Sequence, residues 1–180
     1  MSAPVIVVEY DTLWPLLFAE IRDRLAAAFG SLAQHIEHIG STSVPDLPGK
    51  PIIDIYVVVA DRSDVPLAID RLAELGYDHE GQLGVPGREA FRTPAGAPPH
   101  HLYVCPADCA DLDRVLTFRD QLRADGRLAE RYAELKLKLA ARHRDDRLAY
   151  NAGKTAFVDS VVAAAWSRRT EQVRRPALPA

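Results

Sequence analysis

His38-Ile39-Gly40-Ser41-Thr42-Ser43-Val44-Pro45, followed after a Pro/Gly-rich bend by Pro51-Ile52-Ile53-Asp54-Ile55-Tyr56-Val57-Val58-Val59-Ala60, is the stretch that decides the fold. The second segment is the most apolar run of the chain, and its β-branched density over a short length predicts a central strand. Period-two alternation places Asp54 on one face with Ile52 and Tyr56, and Ile53 and Ile55 on the other. The first segment reads as a short strand, residues 34–39, that delivers the chain into Gly40, where glycine permits a turn and close backbone approach. Ser41, Thr42 and Ser43 add hydroxyls, and a tight turn there aims successive N–H groups into one concavity, which suits a phosphate; the same residues also suit a plain turn. The loop is not a P-loop, because Gly49-Lys50 runs into Pro51 and position 44 is Val. Gly81, Gly84 and Gly87 likewise miss the dinucleotide fingerprint.

Working outward, residues 5–9 look extended. Leu13, Leu17, Ile21, Leu25 and Ala28 recur at helical spacing and stop at Gly30. A second helix runs from Ser63 or Asp64 to Leu75, with Gly76 beyond it. Residues 77–85, 89–93 and 101–105 read as further strands of a mixed or antiparallel sheet. From Asp108 the pattern turns helical, over about 108–124, 127–143 and 146–168. Strands first and helices last indicate an α+β fold, with helices flanking a mixed sheet. Residues 1–170 are expected to form one domain, helical from about 108, with 171–180 as a tail.

The chain has 180 residues, 48% hydrophobic and 26% charged, which are globular values. A formal charge of -3 provides no general attraction to nucleic acid or anionic membranes. No apolar run approaches the ~18 residues of a membrane helix, and the first residues lack a basic signal-peptide region. The two cysteines, Cys105 and Cys109, match neither a redox nor a zinc pattern and read as free thiols. A cytoplasmic protein is expected.

Asp54 is the residue with most to explain. An ionised carboxylate within Ile52-Ile53-Asp54-Ile55 is costly unless a cation or hydrogen bonds compensate it. Two compensations suggest themselves: Mg²⁺ held against a phosphate on Ser41, or structural hydrogen bonds to the adjacent loop. Arg92 and His101 sit on neighbouring expected strands and could converge on the same face, His101 as a ligand, a general base or a solvated side chain. Along the helices, Arg119 and Arg123, Tyr132 and Lys136, and Tyr150 and Lys154 are each four apart and share a face. A strip of Arg119, Arg123, Lys136 and Lys154 facing the cleft would neutralise phosphates, with Tyr150 available to stack; salt bridging along the helices is the alternative.

The segment from His38 to Ile55 closely resembles the signature of the GrpB family, within the nucleotidyltransferase superfamily typified by DNA polymerase beta. The resemblance covers almost the whole chain. It runs through Tyr10-Asp11, Trp14-Pro15, Phe18, Phe91-Arg92, His101-Leu102-Tyr103-Val104, Leu116 to Arg123, Tyr132, Leu135-Lys136, Tyr150, Lys154 and Phe157. It implies the nucleotidyltransferase fold and binding of a nucleotide or other phosphorylated small molecule at Gly40, Ser41, Thr42, Ser43, Lys50, Arg92, Arg119, Lys136, Tyr150 and Lys154. Asp54 would be the Mg²⁺ ligand, and Asp54 with His101 the catalytic residues. The superfamily pattern has a second carboxylate two residues after the first, where this chain has Tyr56, and a third on a later strand, where it has His101-Leu102-Tyr103. GrpB members generally lack the second acid too, and typically show His-Leu-His where Tyr103 stands here. Two-metal phosphoryl transfer needs several carboxylates. The resemblance therefore implies either transfer of a nucleotidyl group to a small molecule or a catalytically inactive binding module. GrpB-like domains also occur fused behind dephospho-CoA kinase, which implies a protein-interaction role as a third reading.

Overall fold

The computed structural model describes residues 4–174, with side chains through residue 171. Helix α1 (Trp14–Phe29) is followed by β1 (Ala33–Ile39), a 3-10 turn at Ser41–Ser43 and β2 (Ile53–Val59). Then come α2 (Val65–Glu74), β3 (Asp78–Gly81), β4 (Glu89–Arg92) and β5 (His100–Pro106). Three helices close the described chain: α3 (Ala110–Ala124), α4 (Gly126–Arg142) and α5 (Arg147–Arg174). The five strands form one mixed sheet in the order β1-β2-β5-β4-β3. Only β2 and β5 run parallel, paired from Ile53↔His100 to Val59↔Pro106; the other neighbours are antiparallel. The fold is α+β, as the order of elements implied.

The alternation of β2 sorts the two faces. Ile53, Ile55, Val57 and Val59 pack with Trp14, Ile21, Leu25, Phe29, Ala68 and Leu72, so α1 and α2 cover that side. Tyr56 and Val58 face the other way and meet Leu112 and Val115 of α3. Asp54 shares this second face, at the end of β2 where the strand leaves the Pro/Gly bend. A further cluster joins Val44 and Leu47 of that bend to Leu122, Tyr132 and Phe157, seating the loop on α3, α4 and α5. Gly153 has no room for a Cβ, which would stand 2.5 Å from a Leu139 methyl, so α4 and α5 pack tightly there.

Several expected elements differ. Residues 5–9 form no strand; a single bridge pairs Val8 with Gly49, and Val5 N–H donates to Arg144 O. The valine-rich run has β propensity, but its neighbour is a Pro/Gly bend that cannot extend a ladder. The strand expected over 77–85 stops at Gly81, because Gly81, Leu83 and Gly84 all take positive φ. Asp64 is the N-cap residue of α2, one of the two positions expected, but its side chain caps no N–H of α2; it joins Asp61 in a reciprocal box that caps the preceding 3-10 turn, Arg62–Asp64. The last helix continues to Arg174, so part of the expected tail is helical and the rest lies outside the described residues. Among the described residues, no helix is long and apolar enough to cross a membrane.

Ile55 is fully buried on the face away from Asp54. Ile55→Ala should therefore cost about 2–5 kcal/mol of stability, measured by urea unfolding, without changing the chemistry of the opposite face.

Candidate functional site

Gly40 leaves β1 with φ 71° and ψ -171°, backbone that only glycine adopts readily. The turn crosses directly over Asp54: a Cβ on Gly40 would lie 2.4 Å from Asp54 Oδ2. Gly49 is equally tight against the loop, its hypothetical Cβ 2.8 Å from Ser41 Cβ. The hydroxyls then divide. Ser43 Oγ donates to Gly40 O at 2.7 Å, and Thr42 Oγ1 pairs with His38 Nε2 at 2.9 Å. Both are buried and serve the turn. Burial, reinforced by nearby Arg123, pushes His38 down to about 4, so a neutral imidazole partners Thr42. Ser41 alone of the three faces the cleft.

The cleft is a cavity of about 300 Å³ between the Gly40 turn, the ends of β2 and β5, and helices α3, α4 and α5. A second space of about 440 Å³ continues past Asp54, Tyr103 and Lys154 toward Arg88 and Asp111. The parallel register sets Asp54 beside His101, and His101 Nδ1 lies 2.7 Å from Asp54 Oδ1. A carboxylate only accepts, so Nδ1 carries the proton and Nε2 is left without a partner among the described residues. Asp54 is thus compensated by His101 and by the cations around it.

Those cations are the cleft's main electrostatic feature. Lys50, Arg147 and Lys154 line it, and none has an acidic partner at ion-pair distance among the described residues. Burial lowers Lys154 to about 8, with Lys50 and Arg147 adding repulsion and Asp54 opposing it. Burial and Arg147 likewise lower Lys50. Lys154 Nζ sits 4.5 Å from the centre of the Tyr150 ring, one turn back on α5. Arg119 and Arg114 also line the space but are engaged. Arg119 bonds Glu37 at 2.6 Å, Asp120 at 2.8 Å and His38 O at 3.0 Å, and Arg114 bonds Asp159 at 2.7 Å.

Three basic residues expected in the cleft are elsewhere. Arg92 continues the β4 register toward the face of His101, but its side chain is 66% exposed and turns outward to Glu80 and Asp78 of edge strand β3. Lys136 lies behind the turn rather than in front of it. It is 1% exposed, donates to Ser41 Oγ at 2.8 Å and to Pro48 O, and stacks over Tyr132. Burial, with Lys154 nearby, lowers it to about 7. An ammonium only donates, so Ser41 Oγ accepts from Lys136 and its own proton is free to point at a ligand. Arg123 is also structural, with Nε and Nη2 both donating to Ser43 O.

The site also contains residues that local pattern did not reveal. Arg147 and Asn151 enter the cleft from the first turns of α5, each three positions before a residue already suspected, Tyr150 and Lys154, and that i,i+3 spacing was the available signal. Tyr56 stands where the superfamily pattern has its second acid. Its hydroxyl donates to Asp111, with Arg88 within 3.5 Å of Asp111 and its guanidinium 4.2 Å from the Tyr103 ring centre. Burial, then that hydrogen bond, drives the Tyr56 hydroxyl far above its usual range, so it stays protonated. Among the described residues, no group of three or more His, Cys, Asp or Glu side chains converges as metal ligands would. One carboxylate, already bonded by His101 and flanked by lysines, does not fit the two-metal centre of the superfamily.

Comparison with known proteins identifies the family and the fold. The family model described as GrpB protein matches residues 4–164. The UPF0157 protein YqkA of Bacillus subtilis is 35% identical over 152 residues, covering 84% of this chain but only 44% of that protein. The chain thus spans less than half of that relative. The crystal structure of GrpB from Enterococcus faecalis superposes with a TM-score of 0.81 at 33% identity, covering 91% of this chain and 99% of that one. The Cid1 poly(U) polymerase with Mg 3′-dATP bound shares the fold at TM-score 0.52 and 12% identity, over 81% of this chain and 49% of that one.

The Gly40 contact generates a paired prediction. Gly81 has a similar φ of 73° but open space around a Cβ, so Gly81→Ala should cost about 1–2 kcal/mol from backbone strain alone. Gly40→Ala must also displace Asp54, and in thermal melts it should destabilise clearly more than Gly81→Ala. Equal losses would mean that the turn does not rest on Asp54.

Proposed function

Because the chain belongs to the GrpB family and carries its nucleotidyltransferase-like fold, we propose that the cleft binds a phosphorylated small molecule, a nucleotide being the closest match. The observation that carries this reading is the trio Lys50, Arg147 and Lys154, which surround one carboxylate without acidic partners of their own. Lys50 and Lys154 are half-buried and Arg147 is exposed at the cleft's edge, and gathering three mutually repelling cations there is unfavourable unless an anion completes the set. Phosphate oxygens supply that charge, Ser41 and the backbone of the Gly40 turn supply donors, and Tyr150, Tyr132 and Phe118 offer flat surfaces for a base or sugar.

Asp54 and His101 suit the acid–base part of a group transfer. Asp54 orients the imidazole through Nδ1, and Nε2 is left to take a proton from an attacking hydroxyl. The reaction would be transfer of a nucleotidyl group from a nucleoside triphosphate to the hydroxyl of a small molecule, the α–β phosphoanhydride breaking and pyrophosphate leaving. The second reading, a binding module without turnover, is favoured by Tyr56, whose hydroxyl is committed to Asp111. Two buried free thiols, Cys105 and Cys109, support a reducing, cytoplasmic setting.

Calorimetry with ATP, GTP, CTP, UTP and a panel of sugar phosphates tests the binding reading. At least one should bind, and Ser41→Ala should weaken it by about 1–2 kcal/mol. If no phosphorylated compound binds, the reading fails. The pH dependence has a definite sign. The anion prefers protonated Lys154, whose free-state value is about 8, so affinity should be full below that pH and fall as pH rises through it. Binding near and above pH 8 should take up protons, measurable as a dependence of the heat on buffer ionisation enthalpy.

A further inference from the structure

We infer that this cleft recognises its phosphate directly through Lys50, Arg147 and Lys154, with no divalent cation between the anion and Asp54. The inference rests on the phosphate-binding reading above and adds the means of recognition, which departs from the superfamily pattern of carboxylates holding metal ions.

Three features of the donor set lead there. First, Asp54 is already partly engaged on both oxygens. Oδ1 is bonded by His101 Nδ1 at 2.7 Å, and Oδ2 lies under Gly40, where even a Cβ would be 2.4 Å away. Second, the positions that would complete an octahedral oxygen shell are occupied otherwise. Tyr56 points its hydroxyl to Asp111, and Tyr103 lies beneath the Arg88 guanidinium. Third, the charge is already of the metal's sign. Three cations without acidic partners face a single carboxylate, a surplus equal to the charge of a divalent ion and matched to a phosphate dianion. A divalent ion entering this set would meet two ammonium groups and one guanidinium at close range, where the repulsion is several times that in bulk water. The ligand class that fits is a phosphate monoester or the terminal phosphates of a polyphosphate, contacted by N–H donors.

The two modes of recognition assign Asp54 opposite effects. Without a metal, the Asp54 carboxylate repels the incoming anion, and Asn in its place still accepts from His101. With a metal, the same carboxylate is the anchor of binding. Tripolyphosphate and ATP are the probes, titrated by calorimetry into the intact chain in EDTA and again in excess Mg²⁺. The expected result is binding in EDTA that Mg²⁺ leaves unchanged or weakens. Asp54→Asn should tighten it roughly threefold to tenfold. Lys154→Met should weaken it at least about tenfold. Lys50→Met serves as a second reporter, and the melting temperature of each variant confirms that it is folded. Binding that needs Mg²⁺ and is lost in Asp54→Asn overturns this inference while leaving the phosphate-binding reading intact. No binding of either probe under either condition overturns both.

Discussion

The contact between Gly40 and Asp54 is the constraint on which the cleft depends. Gly40 crosses the end of β2 so closely that only the absence of a side chain permits it. That crossing sets the height of the turn above the sheet. Thr42 and Ser43 then fold back into the turn, Ser41 is left facing the cavity, and Arg123 and Lys136 clamp the turn from behind. The parallel pairing of β2 with β5 brings His101 alongside Asp54, so the same carboxylate fixes both the loop and the imidazole. A half-buried carboxylate packed under the loop and bonded to His101 specifies one arrangement of loop, strand and ring.

Lys136 illustrates how position along a helix and position in a site can diverge. Tyr132 and Lys136 share a face of α4, as Tyr150 and Lys154 share a face of α5, and in each pair the ammonium stacks on the ring one turn back. Both tyrosines line the cavity, but only the second lysine does. Lys136 is sealed beneath the loop, where its ammonium is held by Ser41 and Pro48. One lysine therefore holds the serine and the other faces the cavity, although the two are indistinguishable by local pattern.

What was legible in the chain follows from this. The alternation in β2 correctly put Asp54 with Tyr56 and opposite Ile53 and Ile55, because a half-polar strand in a packed sheet has only one acceptable orientation. The switch from strands to helices near Asp108 was equally plain. Residues 5–9 misled, because β propensity describes a residue and not whether a neighbouring strand exists for it to pair with. Arg92 misled for a related reason. Register places it toward the face of His101, but a long side chain at the sheet's margin turns to the nearest acids, Asp78 and Glu80, which belong to an edge strand whose placement no local pattern gives. Arg147 and Asn151 escaped notice because nothing in a helix's own first turns states which loop it will face.

Tyr56 connects these observations. In a catalytic centre built on two metal ions, the residue two positions after the strand's first acid would offer an oxygen to a cation. Here it is a fully buried phenol that donates to Asp111, ties β2 to α3, and keeps its proton throughout the accessible pH range. A position that would demand an external ion for charge balance has become one that is satisfied internally. Once that happens, the remaining carboxylate faces a surplus of ammonium and guanidinium charge rather than a shared cation. That surplus of positive charge favours an anion over a further cation in the cleft.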